Sequence, residues 1–357
     1  MVTDMLGGRL ENLEEYTPYP YPENCIRLDA NESFLEFPDD IKNEISKKIA
    51  EEALNRYPDP NAKELCAAFA EFYGLSPENV VAGNGSDELI ALIFSALLDT
   101  GSNVLVTAPD FSMYKFYCEM YGQNVTVLQK DENFAFTADM IIKKAAETNS
   151  DFIIFSNPCN PTGQGLSAKE AEKIISSVNC TVCVDEAYME FWADNETVLD
   201  LIEKHDNLLV LKTCSKAFGC ASMRLGFAVA GKKIISMFKK AKSPYNVNSL
   251  SQAAGTVILE NKEILEAATK QIIKQKNELY TELKKLERSD FSVIETNTNF
   301  VLCKSPKAEL IYKNLEKENI IIRYLRPDLL RITAGSREEN TAFLKKTEVI
   351  LNETGIC

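Results

Sequence analysis

A mainly parallel α/β sheet in three α/β/α layers, followed by a smaller α+β C-terminal unit, is the fold class this sequence predicts. Three observations lead to it. Short apolar runs recur between residues 80 and 230 with connectors of helical length between them. Such runs are buried on both faces, which crossover helices achieve in a parallel sheet. Past Asn246 the pattern changes to a long, charged helical region and shorter strands, which marks a second unit.

Taken in order, residues 1–30 read as an extended arm. Tyr16-Thr17-Pro18-Tyr19-Pro20-Tyr21-Pro22 cannot be helix interior, because proline removes a donor and restricts its predecessor. Without a core of its own, the arm is expected to lie across a neighbouring surface. The large unit is expected at 31–245. Helices are predicted at 39–54 and 62–73, separated by the turn Tyr57-Pro58-Asp59-Pro60. A strand at 80–82 runs into Gly83-Asn84-Gly85-Ser86-Asp87-Glu88 and a helix to residue 98. Strands at 103–107, 125–128, 152–155, 181–184, 208–211 and 226–230 follow, with helices at 112–121 and 138–147. The small unit, 246–357, is expected to hold a helix at 262–287, a further segment at 293–303, a helix near 310–316, strands at 320–324 and 330–333, and a closing helix.

With 357 residues, 45% hydrophobic and 26% charged, the chain can bury a sizeable core. Its net charge of -14 has the wrong sign for general attraction to nucleic acid or anionic membranes. The start lacks a basic region and an apolar core, and the apolar run 91–98 is too short to span a bilayer. Ten cysteines scattered through a chain this long fit free thiols in a reducing cytoplasm. A single histidine, His205, excludes a His-rich metal cluster.

Ligands of open α/β sheets bind beyond the carboxyl ends of the strands, and four segments fall there. Gly83 to Glu88 permits close approach, with Ser86 as a helix cap and N–H groups able to receive phosphate. It is neither a P-loop nor Gly-x-Gly-x-x-Gly. Asn157-Pro158-Cys159-Asn160-Pro161-Thr162-Gly163 is a rigid turn that would present the Asn160 amide. Asp185-Glu186-Ala187-Tyr188 puts a carboxylate at a strand end, with a metal-binding pair as the rival reading. Thr213-Cys214-Ser215-Lys216 supplies hydroxyls and an amine, with Arg224 eight residues beyond the lysine.

One cofactor, pyridoxal 5'-phosphate, accounts for all four. It needs a lysine to form a Schiff base and a carboxylate to keep its ring nitrogen protonated. Asp185 would meet that nitrogen, and Asn160 and Tyr188 the phenolic oxygen. Ser86, Asp87, Thr213, Ser215 and Arg224 would surround the phosphate. Phe111, just past a strand, would stack on the ring.

These motifs, with Leu28-Asp29-Ala30-Asn31-Glu32, Arg56-Tyr57-Pro58-Asp59, Ser215-Lys216-Ala217-Phe218-Gly219 and Arg331-Ile332-Thr333-Ala334-Gly335, resemble fold-type I, class II-like pyridoxal-phosphate aminotransferases over nearly the whole chain. Within that group the sequence looks most like the histidinol-phosphate aminotransferase family. The resemblance implies Lys216 as the Schiff-base lysine and Tyr57 as a cofactor-phosphate contact from the other subunit of a homodimer. It further implies Arg331 and Arg323 as grips for substrate anions, joined by Tyr19 and Asn31 as substrate-binding residues. Ser33 replaces the proline usual after Asn-Glu, Tyr324 stands where some relatives have aspartate, and Ala221-Ser222-Met223 replaces Ala-Gly-Leu.

The reaction so implied moves the amino group of L-histidinol phosphate to 2-oxoglutarate. Asp185 and Tyr188 assist Lys216, and guanidinium groups take the phosphate or dicarboxylate. Within the superfamily the rivals are an aromatic amino acid aminotransferase and a threonine-phosphate decarboxylase. A non-catalytic scaffold dimer is the rival outside it.

Overall fold

The structure, a computed structural model, describes residues 19–325 and 327–354; the first eighteen residues of the expected arm lie outside them. Two sheets organise the chain. After strand β1 (Ile26–Leu28) come helices α1 (Asp39–Ala50) and α2 (Lys63–Tyr73). The large sheet then forms from β2 (Val80–Asn84), β3 (Asn103–Ala108), β4 (Asn124–Gln129), β5 (Phe152–Ser156), β6 (Thr181–Asp185), β7 (Leu208–Thr213) and β8 (Leu225–Ala230). Between its strands run α3 (Ser86–Leu92), α4 (Met113–Tyr121), α5 (Ala138–Thr148) and α6 (Ala168–Ser177).

The sheet order is β2-β8-β7-β6-β5-β3-β4. β4, β3, β5, β6 and β7 are mutually parallel, and β8 runs antiparallel between β7 and β2. Alternate side chains serve two cores, as the period of a strand requires. Val182 and Val184 face the core under α1, α2, α5 and α6, whereas Cys183 faces that under α3 and α4. Local signals set the helix ends. Ser167 and Glu170 close a reciprocal capping box on α6, Thr137 caps α5, and Gly74 ends α2 in the left-handed region.

The remainder holds α7 (Lys232–Ala241), α8 (Ser249–Glu260), α9 (Lys262–Lys284), β9 (Ser292–Ile294), β10 (Phe300–Lys304), α10 (Ala308–Lys317), β11 (Ile320–Leu325), β12 (Leu329–Thr333) and α11 (Arg337–Thr354). The small sheet runs β1-β11-β12-β10-β9, so the end of the arm is woven into it beside β11. Its apolar face packs on α10, α11 and the last turns of α9 through Leu283, Ile311, Phe343 and Ile350. Packing crosses the expected limit at 245/246. Val257 and Ile258 of α8, and Leu265 and Ile272 of α9, belong to the core of the large sheet.

Three differences from the sequence expectation have local causes. The single segment expected at 293–303 is divided between β9 and β10, and 295–299 docks on the Asn160 turn, with Asn297 N–H donating to Gly163 O at 2.9 Å. Gly163, at φ +71°, has no room for a side chain, since a Cβ there would lie 2.2 Å from that of Thr296. Ser86 does not cap α3; Gly85 precedes the helix and Ser86 is its first residue. Helices α6, α7 and α8 have no counterpart in the expected element order. Among the described residues, no helix is long and apolar enough to cross a membrane.

Candidate active site

The carboxyl ends of β5, β6 and β7 bring three of the expected segments together. Asp185 ends β6 and is buried, accepting a 2.6 Å hydrogen bond from the Tyr114 hydroxyl and a 3.0 Å bond from the Ala187 N–H. Burial raises its pKa to about 6 against the opposing effect of these two donors. A carboxylate in that state has strong reason to meet a cation.

Lys216 lies past β7, half-buried, and its Nζ donates to the Ala30 carbonyl at 3.0 Å. The Tyr188 ring is 5.9 Å from the same nitrogen. The Tyr188 hydroxyl in turn accepts from Asn31 Nδ2 at 2.8 Å, while Asn31 Oδ1 accepts from Thr333 Oγ1 at 3.0 Å. Both ends of the Asn31 amide are thus engaged, and Asn31 orients Tyr188.

Arg331, on β12, donates to Asn160 Oδ1 and to the Asp29 carbonyl. Residues 29–31 therefore form a strap whose successive members contact Arg331, Lys216 and Tyr188. Arg323 stands directly opposite Arg331 in antiparallel register, so both side chains leave one face of the small sheet. Among the described residues Arg323 has no ion-pair partner. Like charges placed opposite one another disfavour the pairing unless an anion lies between them.

A second cluster surrounds the start of α3. Arg224, at φ +52°, reaches Asp87 at 3.1 Å and Ser215 Oγ at 3.5 Å. Thr213 Oγ1 accepts from the Ser215 N–H at 3.1 Å. The backbone is tightly gathered here. A Cβ on Gly226 would fall 2.2 Å from Ser86 N, and one on Gly85 2.7 Å from Arg224 Nη2. The result is a cradle of N–H, hydroxyl and guanidinium donors suited to a phosphate.

The remaining expected residues sit further out. Phe111 is half-buried and edge-on to Tyr114 at 5.5 Å between ring centroids. Tyr57 is 80% exposed and stacks on Tyr245 at 4.5 Å. Tyr19 packs edge-on to Tyr21 at 5.6 Å, and burial followed by Glu316 raises its pKa.

Residues 23–346 match the family model for aminotransferase class I and II. The chain belongs to that family. This aminotransferase is 40% identical over 347 residues to the histidinol-phosphate aminotransferase of Clostridium kluyveri, a match spanning 96% of this chain and 98% of that one. The histidinol-phosphate aminotransferase of Clostridium acetobutylicum superposes with a TM-score of 0.84 at 26% identity, covering 92% and 99% of the two chains. That of Sinorhizobium meliloti, solved in complex with pyridoxal-5'-phosphate, has a TM-score of 0.85 at 20% identity and covers 92% and 91%.

Sequence reasoning misses several supporting groups of this aminotransferase. Tyr114, in the first turn of α4, meets Asp185 only through the tertiary packing of that helix on the sheet. Asp110 gathers Thr107, Ser156 and the Phe111 N–H, with buried Lys130 at 3.7 Å. Burial alone would lower the Lys130 pKa, but Asp110 and Cys159 outweigh it and hold the ammonium charged. Lys212, also buried, lies 2.5 Å from Glu190 and 3.3 Å from Glu186, tying the ends of β6 and β7. Of these groups only Glu186 carries a sequence signal, as half of the Asp-Glu pair whose rival reading is a metal site.

Proposed function

We propose that this aminotransferase uses pyridoxal 5'-phosphate to move the amino group of L-histidinol phosphate to 2-oxoglutarate, giving imidazole-acetol phosphate and L-glutamate. The observation that carries the reading is the strap at Asp29–Asn31. It brings the Lys216 amine and the Arg331 guanidinium onto consecutive carbonyls, so a reactive amine and an anion grip face one space.

The residues present fit the cofactor. The buried carboxyl of Asp185 suits the protonated ring nitrogen, and the Ser86, Ser215, Thr213 and Arg224 cradle suits the phosphate. Asn160 and Tyr188 are within one network for the phenolic oxygen, and Phe111 for the ring face. When bound, the cofactor supplies an electron-withdrawing ring that weakens the bonds at the donor's Cα. Lys216 tethers it and moves the proton at that Cα. Asp185 holds the proton at the ring nitrogen, and Asn31 fixes the Tyr188 hydroxyl. Arg331 and Arg323 bind the phosphate of the donor and the distal carboxylate of the acceptor.

The test is a panel of amino donors with 2-oxoglutarate. Highest kcat/KM with histidinol phosphate is expected; preference for phenylalanine, or carbon dioxide release from threonine phosphate, would overturn the reading. Replacing Arg331 by lysine removes the bidentate fork but keeps the charge. It is expected to lower kcat/KM for both substrates by about 10²-fold, as loss of a charged hydrogen bond predicts.

A homodimer and a cytoplasmic location belong to the same proposal. Exposed Leu54, Tyr57, Tyr245 and Leu250 are large apolar side chains that a second copy would cover. Tyr57 would then reach the partner's cofactor phosphate. Sedimentation should show a dimer, and Tyr57→Ala should loosen cofactor retention measured by dialysis; a monomeric holoenzyme would exclude this role.

A further inference from the structure

Asp29 is 6% exposed, and only one of its carboxylate oxygens is engaged: Oδ2 accepts from the Tyr21 hydroxyl at 2.8 Å, whereas Oδ1 has no hydrogen-bond partner among the described residues. A buried carboxylate oxygen without a donor is costly, and such groups are retained where a ligand completes them. The sheet register gives its place. Leu28 pairs with Ile322 in the parallel β1–β11 ladder, so Asp29 comes one step on, beside Arg323, which itself faces Arg331. Its own carbonyl takes the Arg331 guanidinium, so Asp29 stands at the edge of the small sheet close to the two arginines.

Aromatic rings flank the carboxylate. Tyr21 donates to it directly and carries the Arg27 guanidinium 4.0 Å over its ring, and Tyr19 packs against Tyr21. Burial first, and then the bond to Asp29, push the Tyr21 phenol up to about 12. Rings around a lone acceptor suit a flat, N–H-bearing cation.

We infer that Asp29 Oδ1 accepts a hydrogen bond from the ring N–H of an imidazole-bearing donor, and that Asp29 is the residue selecting such donors. The inference rests on the function proposed above and names its specificity element. The anionic end of the donor takes the guanidiniums and the ring takes the carboxylate. A phenyl ring offers no N–H, so it would leave Oδ1 buried and unpaired. That penalty discriminates more strongly than a difference in shape.

The holoenzyme of Asp29→Asn is expected to bind histidinol phosphate about 10- to 100-fold more weakly, read both as KM and as a titration of the cofactor absorbance. For 2-oxoglutarate and phenylalanine the change should stay below about 3-fold, since neither presents a ring N–H. A parallel rise for all substrates would make Asp29 a mere countercharge to the arginines and overturn the inference, as would an unchanged KM. The wild type supplies a second measurement that needs no variant. It should bind 2-amino-3-phenylpropyl phosphate, which keeps the phosphate and replaces the imidazole, weaker than histidinol phosphate by a similar factor; equal affinity would exclude Asp29 as selector. Absence of wild-type turnover with histidinol phosphate would instead sink the proposed function itself.

Discussion

Lys216→Ala is expected to lower transamination by at least about 10³-fold, because one substitution removes both the covalent tether and the group that moves the Cα proton. Nζ sits 3.0 Å from the Ala30 carbonyl, which places the amine against the 29–31 strap. The purified wild type with added cofactor should show a visible absorbance band and, after borohydride reduction, a mass increase on the peptide carrying Lys216. The variant should show neither while its melting temperature stays near that of the wild type. Retention of the reduced adduct in the variant would assign the tether to another amine.

Asp185→Asn has the second-largest expected effect, and it acts in opposite directions with and without cofactor. In the holoenzyme the ring nitrogen loses its ionised partner, and turnover should fall by about 10²- to 10³-fold, the usual scale for removing a group aimed at developing charge. In the apoprotein the substitution stabilises. The folded Asp185 pKa, at about 6, lies above the ordinary value of 3.8, chiefly through burial. The folded state therefore binds this proton more tightly than the unfolded state does. Its contribution is fully present below about pH 4 and is lost as pH rises through about 6. The two-unit difference corresponds to about 3 kcal/mol. Denaturant unfolding of the two apoproteins between pH 4 and 8 should show their difference growing in favour of the asparagine variant across that window. Parallel curves would mean that Asp185 is ionised at no cost and that Tyr114 and Ala187 compensate its burial fully.

The legible parts of the fold are those in which the sequence period itself carries the signal. The runs at 152–155 and 208–211 are uninterrupted apolar segments, that at 103–107 has Val104-Leu105-Val106 at its centre, and β3, β5 and β7 lie on them. The segment at 293–303 reads as one piece, whereas its division into β9 and β10 accompanies docking of Asn297 onto Gly163, more than a hundred residues away. β1 is hidden within a proline-rich arm for a similar reason. Three residues have no period to display, and they are a strand only because the edge of β11 offers hydrogen bonds.

The candidate site divides along the same line. Lys216, Asp185, Asn160 and the Gly85-Ser86 turn are recognisable because each stands just past an apolar strand in a sheet whose ligands bind at that end. Asn31 is expected from sequence as a substrate contact, whereas only the structure shows its amide held between Tyr188 and Thr333. Tyr114, Lys130 and Lys212 give no sign, since a buried phenol or ammonium is distinguished only by what surrounds it.

By itself, then, the sequence determined the layered sheet, the residue types available to a phosphate-bearing cofactor, and the order in which they emerge from it. These follow from short-range rules of burial, capping and turn formation. Tertiary structure alone decided that Asp29, Ala30 and Asn31 pass in front of Lys216, that Arg323 and Arg331 face each other, and that one oxygen of Asp29 has no donor among the described residues. The strap's contacts join positions some two to three hundred residues apart. They exist only once two sheets share a boundary, because hydrogen-bond geometry and burial are properties of neighbours in space.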